Sequence, residues 1–223
     1  MVDWQALRLS LALGAWTLAL LLPLAVLLGR WLAVHEFRGK GFVEAVLALP
    51  LVLPPTVLGY YLLVGMGAGS PLGQAVAAVA GRPLAFSFEG LVLASVVANL
   101  PFAVQPIQRG FEAVPRQLRE AAACCGMPPW RRLRRVELPL AWPGILTGAV
   151  LTFAHTLGEF GVVLMVGGSI PGETKTVAIA IYDRVQAFDD AAAGRMALVL
   201  LAVSLAAIAA SYAFAPRAER RHG

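Results

Sequence analysis

Long apolar runs alternate with short polar intervals along most of the chain. A membrane-spanning helix needs about 20 apolar residues, and five runs reach that length, at residues 9–29, 42–66, 86–108, 141–166 and 195–214. The pattern therefore predicts an all-α integral membrane protein with about five transmembrane helices, in one transmembrane domain over residues 1–223. The first run is too long for the apolar part of a signal peptide, so we expect it to be retained as a span.

Three prolines interrupt the second run, at positions 50, 54 and 55. Prolines inside a membrane helix free backbone carbonyls, which is tolerated only where protein or a water-filled cavity satisfies them. The middle of this run is therefore a candidate translocation pathway. The pathway residues that we choose beside the break are Pro54, Pro55, Thr56, Gly59 and Tyr60. Ordinary helix packing is the alternative for Thr56 and Tyr60.

A polar interval at residues 110–140 separates the third and fourth runs. Residues 116–125 contain no Gly or Pro and are rich in good helix formers. Gly126 can take the left-handed conformation that closes such a helix, and Pro129 suits the first turn of a second helix that Pro139 ends or kinks. We expect a helix-turn-helix loop here. A solvated basic loop is the alternative, because four arginines fall within positions 131–135.

The composition supports a membrane protein. The chain is 59% hydrophobic and 14% charged, whereas a soluble domain is about 45–50% apolar and about 25% charged. Its formal net charge is +5. In a membrane protein this excess is explained by positive cytoplasmic loops, so we expect contact with lipid and no nucleic-acid partner.

Lysine and arginine positions orient the chain. With the 110–140 interval in the cytoplasm, thirteen of the eighteen positive side chains fall on the cytoplasmic side, and the other five are Arg8, Arg82, Lys175, Arg184 and Arg195. The positive-inside rule therefore favours an external N-terminus and a cytoplasmic C-terminus with a basic tail. Residues 167–194 then form an outer loop.

An apolar stripe at helical spacing runs through the outer loop and predicts an interfacial helix. The stripe consists of Val177, Ile181, Val185 and Phe188. Packing of the stripe onto the spans and contact with a partner protein are the two interpretations of it.

Three polar side chains within the predicted spans are candidates for function. His155 and Glu159 lie one helical turn apart in the fourth run, and Asn99 lies in the third. We assign His155 and Glu159 to the pathway or its gate, with Glu159 held by a hydrogen-bonded partner for which His155 is the nearest candidate. Asn99 is expected to form a hydrogen bond between helices.

The sequence carries no pattern for catalysis or metal binding. It contains no Gly-x4-Gly-Lys-Ser/Thr, no His-Glu-x-x-His and no Gly-x-Ser-x-Gly. The two cysteines, Cys124 and Cys125, are neighbours and poorly placed for a disulfide, so we interpret them as small helix-packing residues. We therefore predict no enzyme, no catalytic residue, no metal site and no cofactor on this chain.

The polar interval resembles the EAA signature of the membrane subunits of ABC importers, EAA-x3-G-x9-I-x-LP. Glu-Ala-Ala at 120–122, Gly126 and Leu-Pro at 138–139 match it, and Val136 stands in place of the usual isoleucine. The resemblance implies a type I ABC importer permease fold, in which this cytoplasmic loop docks into a groove on a separate ATPase. The coupling residues would be Glu120, Ala121, Ala122, Gly126, Met127, Trp130, Arg131, Leu138 and Pro139.

Residues 49–63 and 157–185 resemble two further blocks of molybdate ABC transporter permeases. The resemblance implies import of molybdate by alternating access across a bacterial or archaeal cytoplasmic (inner) membrane. The implied partners are a second copy of this chain, a cytoplasmic ATPase dimer that holds ATP and Mg, and an extracytoplasmic molybdate-binding protein. The chain departs from the family at position 155, where relatives commonly carry Arg and this chain has His.

Other functions stay open on the sequence alone. Sulfate, tungstate and other tetrahedral oxyanions share the shape and charge of molybdate, so a permease for one of them fits the same residues. A membrane scaffold without a transport pathway is the alternative of another class. The proline break favours transport, because a scaffold has no need for a helix broken at mid-membrane.

Overall fold

The computed structural model describes residues 2–214, without the side chains of residues 80 and 210–214. The predicted basic tail at 217–221 lies outside this range. Within it, the regular secondary structure is helical throughout. The helices are α1 (Trp4–Val34), α2 (Lys40–Val52), α3 (Pro55–Met66), α4 (Pro71–Ala80), α5 (Phe88–Glu112), α6 (Arg116–Cys124), α7 (Pro129–Arg132), α8 (Leu138–Gly158), α9 (Gly161–Gly167), α10 (Val177–Gln186) and α11 (Asp190–Phe214).

Four stretches of the described chain are long and apolar enough to cross a membrane: Trp4–Val34, Phe88–Glu112, Pro129–Gly158 and Asp190–Ala209. Helices α2 and α3 pass the same test together, but they are bent by 109° at their junction. The prediction of an all-α protein with about five spans is therefore confirmed, with the second span broken.

Helices α1, α5 and α8 pack on one another and form the centre of the bundle. Packing, rather than the hydrophobic effect, holds helices together in lipid, and small residues allow their backbones to approach. A Cβ atom on Gly144 would lie 2.8 Å from the Cα atom of Gly110. Helices α5 and α8 therefore touch at backbone level at this crossing.

The second span breaks where the two adjacent prolines predicted it. A residue before proline is kept out of the helical region, and both Leu53 and Pro54 precede one. Their ψ angles are 136° and 135°, which is extended backbone. Pro50 is accommodated inside α2, so Pro54 and Pro55 cause the break.

The fourth predicted span, 141–166, is not one continuous helix. Helix α8 ends at Gly158, Glu159 is extended with a ψ of 128°, and α9 starts at Gly161. The Glu159 Oε1 atom accepts the backbone N–H of Val162 at 3.0 Å, which satisfies one of the free donors at the start of α9. The prediction missed this break because proline does not cause it.

The two breaks lie side by side. A Cβ atom on Gly161 would lie 2.7 Å from the Cβ atom of Pro55, and one on Gly59 would lie 2.7 Å from that of Met165. Glycines on α3 and α9 therefore let these two short helices pack closely just beyond the breaks.

Of the two outcomes predicted for Pro139, that it ends or kinks the second loop helix, the first is wrong. Helix α7 continues through a π-helical turn, Leu133–Glu137, directly into α8, and the Leu138 N–H bonds to the Leu133 carbonyl. Pro139 lies in the first turn of α8, where the wider π turn tolerates its missing N–H donor.

Two other segments differ from the predicted pattern. Helix α1 is longer than the 9–29 run, and α4 forms in the interval between the second and third runs. The Ser70 Oγ atom accepts the Gly73 N–H at 2.8 Å, so Ser70 and Pro71 start a helix there.

The N-terminal end of α1 and the 110–140 loop lie at opposite ends of the bundle. Near the start of α1, the Ser10 Oγ atom accepts the Val177 N–H at 2.8 Å, which places α10 at that end. Near its finish, the Arg30 guanidinium donates to Glu137 of the loop.

Candidate coupling loop and membrane cavity

The first half of the loop folds as predicted. Helix α6 spans Arg116–Cys124, and Gly126 follows it with a φ of +72°. The Met127 N–H then bonds to the Ala122 carbonyl at 3.1 Å, so a left-handed residue closes the helix in the way glycine permits. Pro129 occupies the first turn of α7.

Most of the predicted coupling residues face outward. Ala122 is buried, and Met127 and Leu138 are half-buried. The exposed members are Glu120, Ala121, Gly126, Trp130, Arg131 and Pro139. Trp130 is 67% exposed, and such a large aromatic side chain left open on a polar loop is typical of a contact surface for another protein.

A buried carboxylate anchors the second half of the loop, and the sequence analysis did not identify it. Glu137 is fully buried in the π turn and accepts hydrogen bonds from two arginines. Arg30 on α1 approaches both carboxylate oxygens, and the Arg132 Nε atom lies 3.2 Å from Oε1. The signal was present as a single acidic residue two positions after a group of four arginines.

The two cysteines do not pack within the chain. Cys124 and Cys125 are free and exposed. Their interpretation as small packing residues is therefore wrong for contacts inside this chain. Among the described residues, no group of three His, Cys, Asp or Glu side chains is placed to hold a metal ion.

A cavity of about 140 Å³ lies where the two helix breaks meet. Pro55, His155 and Glu159, all predicted pathway residues, line it. Its other walls come from α2, α5 and α9, with Leu53, Phe102 and Val162. The structure thus brings together the proline break and the two ionisable residues of the fourth run.

The polar side chains at this cavity form a connected chain. The His155 Nε2 atom lies 3.6 Å from Glu159 Oε2, and its Nδ1 atom lies 3.1 Å from the Asn99 Oδ1 atom. The Asn99 amide donates to the Ser95 carbonyl at 2.8 Å and to the Ser95 hydroxyl at 3.3 Å. The predicted interhelical bond of Asn99 is observed. His155 lies next to Glu159 as predicted, but at 3.6 Å the two do not form a hydrogen bond, and Glu159 is instead held by the Val162 N–H.

Phe102 and Ser95 complete this arrangement and were not identified from the sequence. The rings of Phe102 and His155 stack with centroids 4.0 Å apart. Ser95, Asn99 and Phe102 recur on α5 at steps of four and three residues, which places them on one helix face. That spacing was the signal available in the sequence. In the structure the His155 ring is held by the Asn99 amide and the Phe102 ring.

The other predicted pathway residues lie outside this cavity. Gly59 is buried against α9, where it serves packing. Pro54, Thr56 and Tyr60 are exposed, and Thr56 and Tyr60 lie one turn apart on the same face of α3. In this single chain they therefore point outward from the bundle.

The apolar stripe of the outer loop is divided between two environments. Val177 is buried and Ile181 is half-buried, so the first half of α10 packs on the spans. Val185 is 50% exposed and Phe188 is 92% exposed. Phe188 also has a φ of +56°, a conformation that favours glycine. The second half of the stripe is therefore free for another contact.

Together, the broken spans, the cavity between them and the long exposed loop at one end define a multi-pass helical membrane protein of the importer permease class. The family model described as binding-protein-dependent transport system inner membrane component matches residues 25–220. The chain belongs to this family.

Two relatives cover nearly the whole chain. The molybdenum transport system permease protein ModB of Azotobacter vinelandii is 48% identical over 210 residues, which span 94% of this chain and 93% of that protein. The protein of the same name from Escherichia coli K12 is 38% identical over 223 residues, spanning 99% and 97%. The resemblance noted from the residues is thus confirmed.

A solved structure supports the fold. A chain in the crystal structure of a bacterial alginate ABC transporter, in complex with an alginate pentasaccharide-bound periplasmic protein, superposes with a TM-score of 0.76. The alignment covers 97% of this chain and 79% of that chain at 16% identity. The predicted importer permease fold is therefore confirmed.

Proposed function

We propose that this chain is the transmembrane permease subunit of an ATP-driven importer that moves molybdate into the cytoplasm. The observation that carries the proposal is the 48% identity, over 94% of the chain, to a molybdenum transport permease. The cavity volume of about 140 Å³ suits a small ion, since sites for drug-sized organic ligands are about 300–1,000 Å³.

Glu159 in the cavity belongs to the gate rather than to a binding site for the anion. A dianion is repelled by a carboxylate, so Glu159 is not its ligand. Glu159 instead holds the second helix break, through the Val162 N–H and through His155. Neutral hydrogen-bond donors on the pathway then suit a weak site, from which the anion leaves easily.

The pathway is completed by a second copy of the chain. Thr56 and Tyr60 are polar, exposed and next to the first break. In a homodimer with α3 facing the two-fold axis, both residues would line a shared pore. Selection and affinity would come from an extracytoplasmic binding protein, with which the outer loop at residues 167–194 is placed to interact.

The loop at residues 110–140 couples the pore to ATP hydrolysis. Its exposed residues, Trp130 among them, dock into a partner ATPase that binds ATP and Mg²⁺, so this chain does not hydrolyse ATP itself. Closure of the ATPase dimer brings the loops of the two copies together and opens the pore outward. Hydrolysis restores the inward-facing state, which is transport by alternating access.

The bundle lies in the cytoplasmic membrane with the loop inside. Arg30, Arg109 and the loop arginines share one end of the bundle, in agreement with the positive-inside rule. The N-terminal end of α1, at the other end, would face the exterior.

Uptake by the reconstituted complex tests the proposal. The chain is placed in proteoliposomes with its ATPase and binding protein, and ATP-dependent uptake of molybdate, tungstate and sulfate is measured side by side. Molybdate uptake with sulfate excluded is the expected result. Sulfate uptake alone would refute molybdate as the transported anion. An intact complex that transports none of the three anions would favour a scaffold without a transport pathway.

A further inference from the structure

An uncharged stretch of α1 has the length of the hydrocarbon core of a bilayer. Arg8 and Arg30 bound this stretch, and residues 9–29 between them carry no charged side chain. At 1.5 Å per residue they span about 32 Å, and the hydrocarbon core is about 30 Å thick. Arg8 therefore lies at the level of the lipid phosphates, at the end of the bundle opposite the 110–140 loop.

The two bounding arginines differ in their partners. Arg30 pairs with the buried carboxylate of Glu137. Arg8 is exposed, and it forms no ion pair or hydrogen bond with any residue that the structure describes. A guanidinium group can donate two parallel hydrogen bonds to a phosphate. An anion from outside the described chain would therefore supply the counter-charge that Arg8 lacks.

Arg8 lines a cleft of about 710 Å³ between the start of α1 and the outer loop. Gln5 lines the same cleft from the same face of α1, three residues earlier, and adds an amide donor. The cleft also contains Arg82 and Glu173, which pair with each other at 3.4 Å, and Arg82 pairs with Glu89 as well. Arg82 thus already has its carboxylates, whereas Arg8 and Gln5 have donors to spare.

An apolar groove of about 660 Å³ adjoins this cleft, between α1 and α5. Phe88 lines both spaces. On α1 the lining passes from Ala12 in the cleft to Trp16 in the groove, which is one helical turn further on. The walls of the groove then continue along the two helices with Leu20, Leu24, Val92, Leu93 and Val96.

The groove opens toward the membrane at the depth of one leaflet. From Phe88 to Val96 it follows α5 for about 12 Å, which lies within one half of a hydrocarbon core about 30 Å thick. Trp16 and Leu20 on its wall are 56% and 53% exposed. The space beside them is therefore filled by acyl chains, since an empty apolar groove would lose its van der Waals contacts.

We propose that the cleft and the groove together bind one phospholipid from the leaflet opposite the loop. Its phosphate accepts hydrogen bonds from Arg8 and Gln5, and one of its acyl chains lies between α1 and α5. The free guanidinium selects a phosphate, and the adjoining apolar groove selects a lipid over a free inorganic anion. The site does not depend on which anion the protein transports.

Titration with a defined lipid tests the proposal. The full-length chain is purified in detergent, stripped of lipid and titrated with dioleoylphosphatidylglycerol, and native mass spectrometry counts the bound molecules. One lipid per chain is expected to bind more tightly than the rest. Arg8→Gln removes the phosphate donor and Leu20→Trp fills the groove, and each should weaken binding of that lipid at least tenfold.

Two matched variants control for charge and for size. Arg184→Gln removes an exposed arginine at the same end of the bundle, but one that pairs with Asp189. Leu27→Trp adds the same bulk to α1 at a side chain that is 62% exposed and does not line the groove. Both should bind the lipid as the wild-type chain does.

Three results would overturn the proposal. The first is unchanged lipid affinity in Arg8→Gln or in Leu20→Trp, with thermal unfolding as in the wild type. The second is binding of inorganic phosphate that depends on Arg8 and is as strong as that of the lipid, because the cleft would then be a site for a free anion. The third is cross-linking of two copies through Leu20→Cys, with Cys124 and Cys125 replaced by serine, because a second copy of the chain would then occupy the groove.

Discussion

Arg30 and Glu137 form an ion pair between the end of α1 and the π turn that opens α8, 107 positions apart in the chain. The Glu137 side chain is fully buried, and that of Arg30 is 21% exposed. Arg132 approaches the same carboxylate from within the loop. The ion pair therefore holds the loop against the first span, from which it is distant in the sequence.

Loss of the Glu137 charge should destabilise the protein. Glu137→Gln leaves two guanidinium groups without a counter-charge, and breaking a buried pair costs about 3–5 kcal/mol. The partial exposure of both arginines reduces this, so we expect about 1–3 kcal/mol. Thermal unfolding of the purified protein in detergent measures the loss.

Glu120→Gln is the matched control for that variant. Glu120 also pairs with an arginine, Arg116, but both side chains are more than half exposed. Exposed pairs contribute about 0–1 kcal/mol, so this variant should unfold close to the wild-type temperature. Equal destabilisation by both variants would show that burial of Glu137 is not the cause.

Gly126→Val should uncouple ATP hydrolysis from uptake. Gly126 has a φ of +72°, and a Cβ atom added to it would meet no other atom within 4 Å. The variant therefore suffers backbone strain of about 1–2 kcal/mol without a clash. The strain reshapes the turn between α6 and α7. The expected result is persistent ATPase activity with reduced uptake, measured in proteoliposomes containing the whole complex.

Gly81→Val is the matched control, because it introduces the same backbone strain outside the loop. Gly81 closes α4 with a φ of +70° and is equally open, but it does not belong to the loop. The Gly81→Val variant should take up as much anion per ATP hydrolysed as the wild-type protein does. A well-folded Gly126→Val protein that transports normally would refute the coupling role of the turn.

Gly161→Ala should force the two helix breaks apart. The new methyl group would lie 2.7 Å from the Cβ atom of Pro55, inside van der Waals contact. Overpacking of this kind costs about 1–3 kcal/mol, so we expect a lower unfolding temperature and slower uptake. Gly158→Ala, three residues earlier, meets no atom within 4 Å and should be tolerated. A Gly161→Ala protein as stable and active as Gly158→Ala would contradict the close packing.

Asn99 and His155 should behave as a coupled pair in a double-mutant cycle. Each single replacement by alanine removes the hydrogen bond between α5 and α8, so the double variant loses it only once. Hydrogen bonds between membrane helices average about 0.6 kcal/mol and reach about 1.7 kcal/mol. Reversible unfolding in mixed micelles measures the coupling energy, and an additive result would mean that the 3.1 Å contact contributes nothing.

The sequence predicts what depends on local rules. The apolar runs predicted the spans, the glycine at 126 predicted a left-handed residue, and the adjacent prolines predicted the first break. The spacing of His155 and Glu159 predicted their contact, because residues four apart share a helix face.

The features that were not predicted are a break without proline, contacts between residues distant in the chain and the π turn. The break at Glu159 has no proline and depends on a carboxylate that caps the next helix. The partners of Glu137 and of Asn99 depend on how α1, α5 and α8 cross. No local sequence pattern encodes these crossings. The π turn likewise lets Pro139 enter a continuous helix, although proline usually marks a boundary.

The continuous helical stretch from Pro129 to Gly158 connects the loop directly to the cavity. The 30 residues of this stretch span about 45 Å at 1.5 Å per residue. Between its ends, at Gly144, its backbone touches that of α5, about 21 Å from Trp130 and about 17 Å from His155 on the same rise per residue. A partner that displaces Trp130 would therefore act on His155 along one continuous stretch of helix.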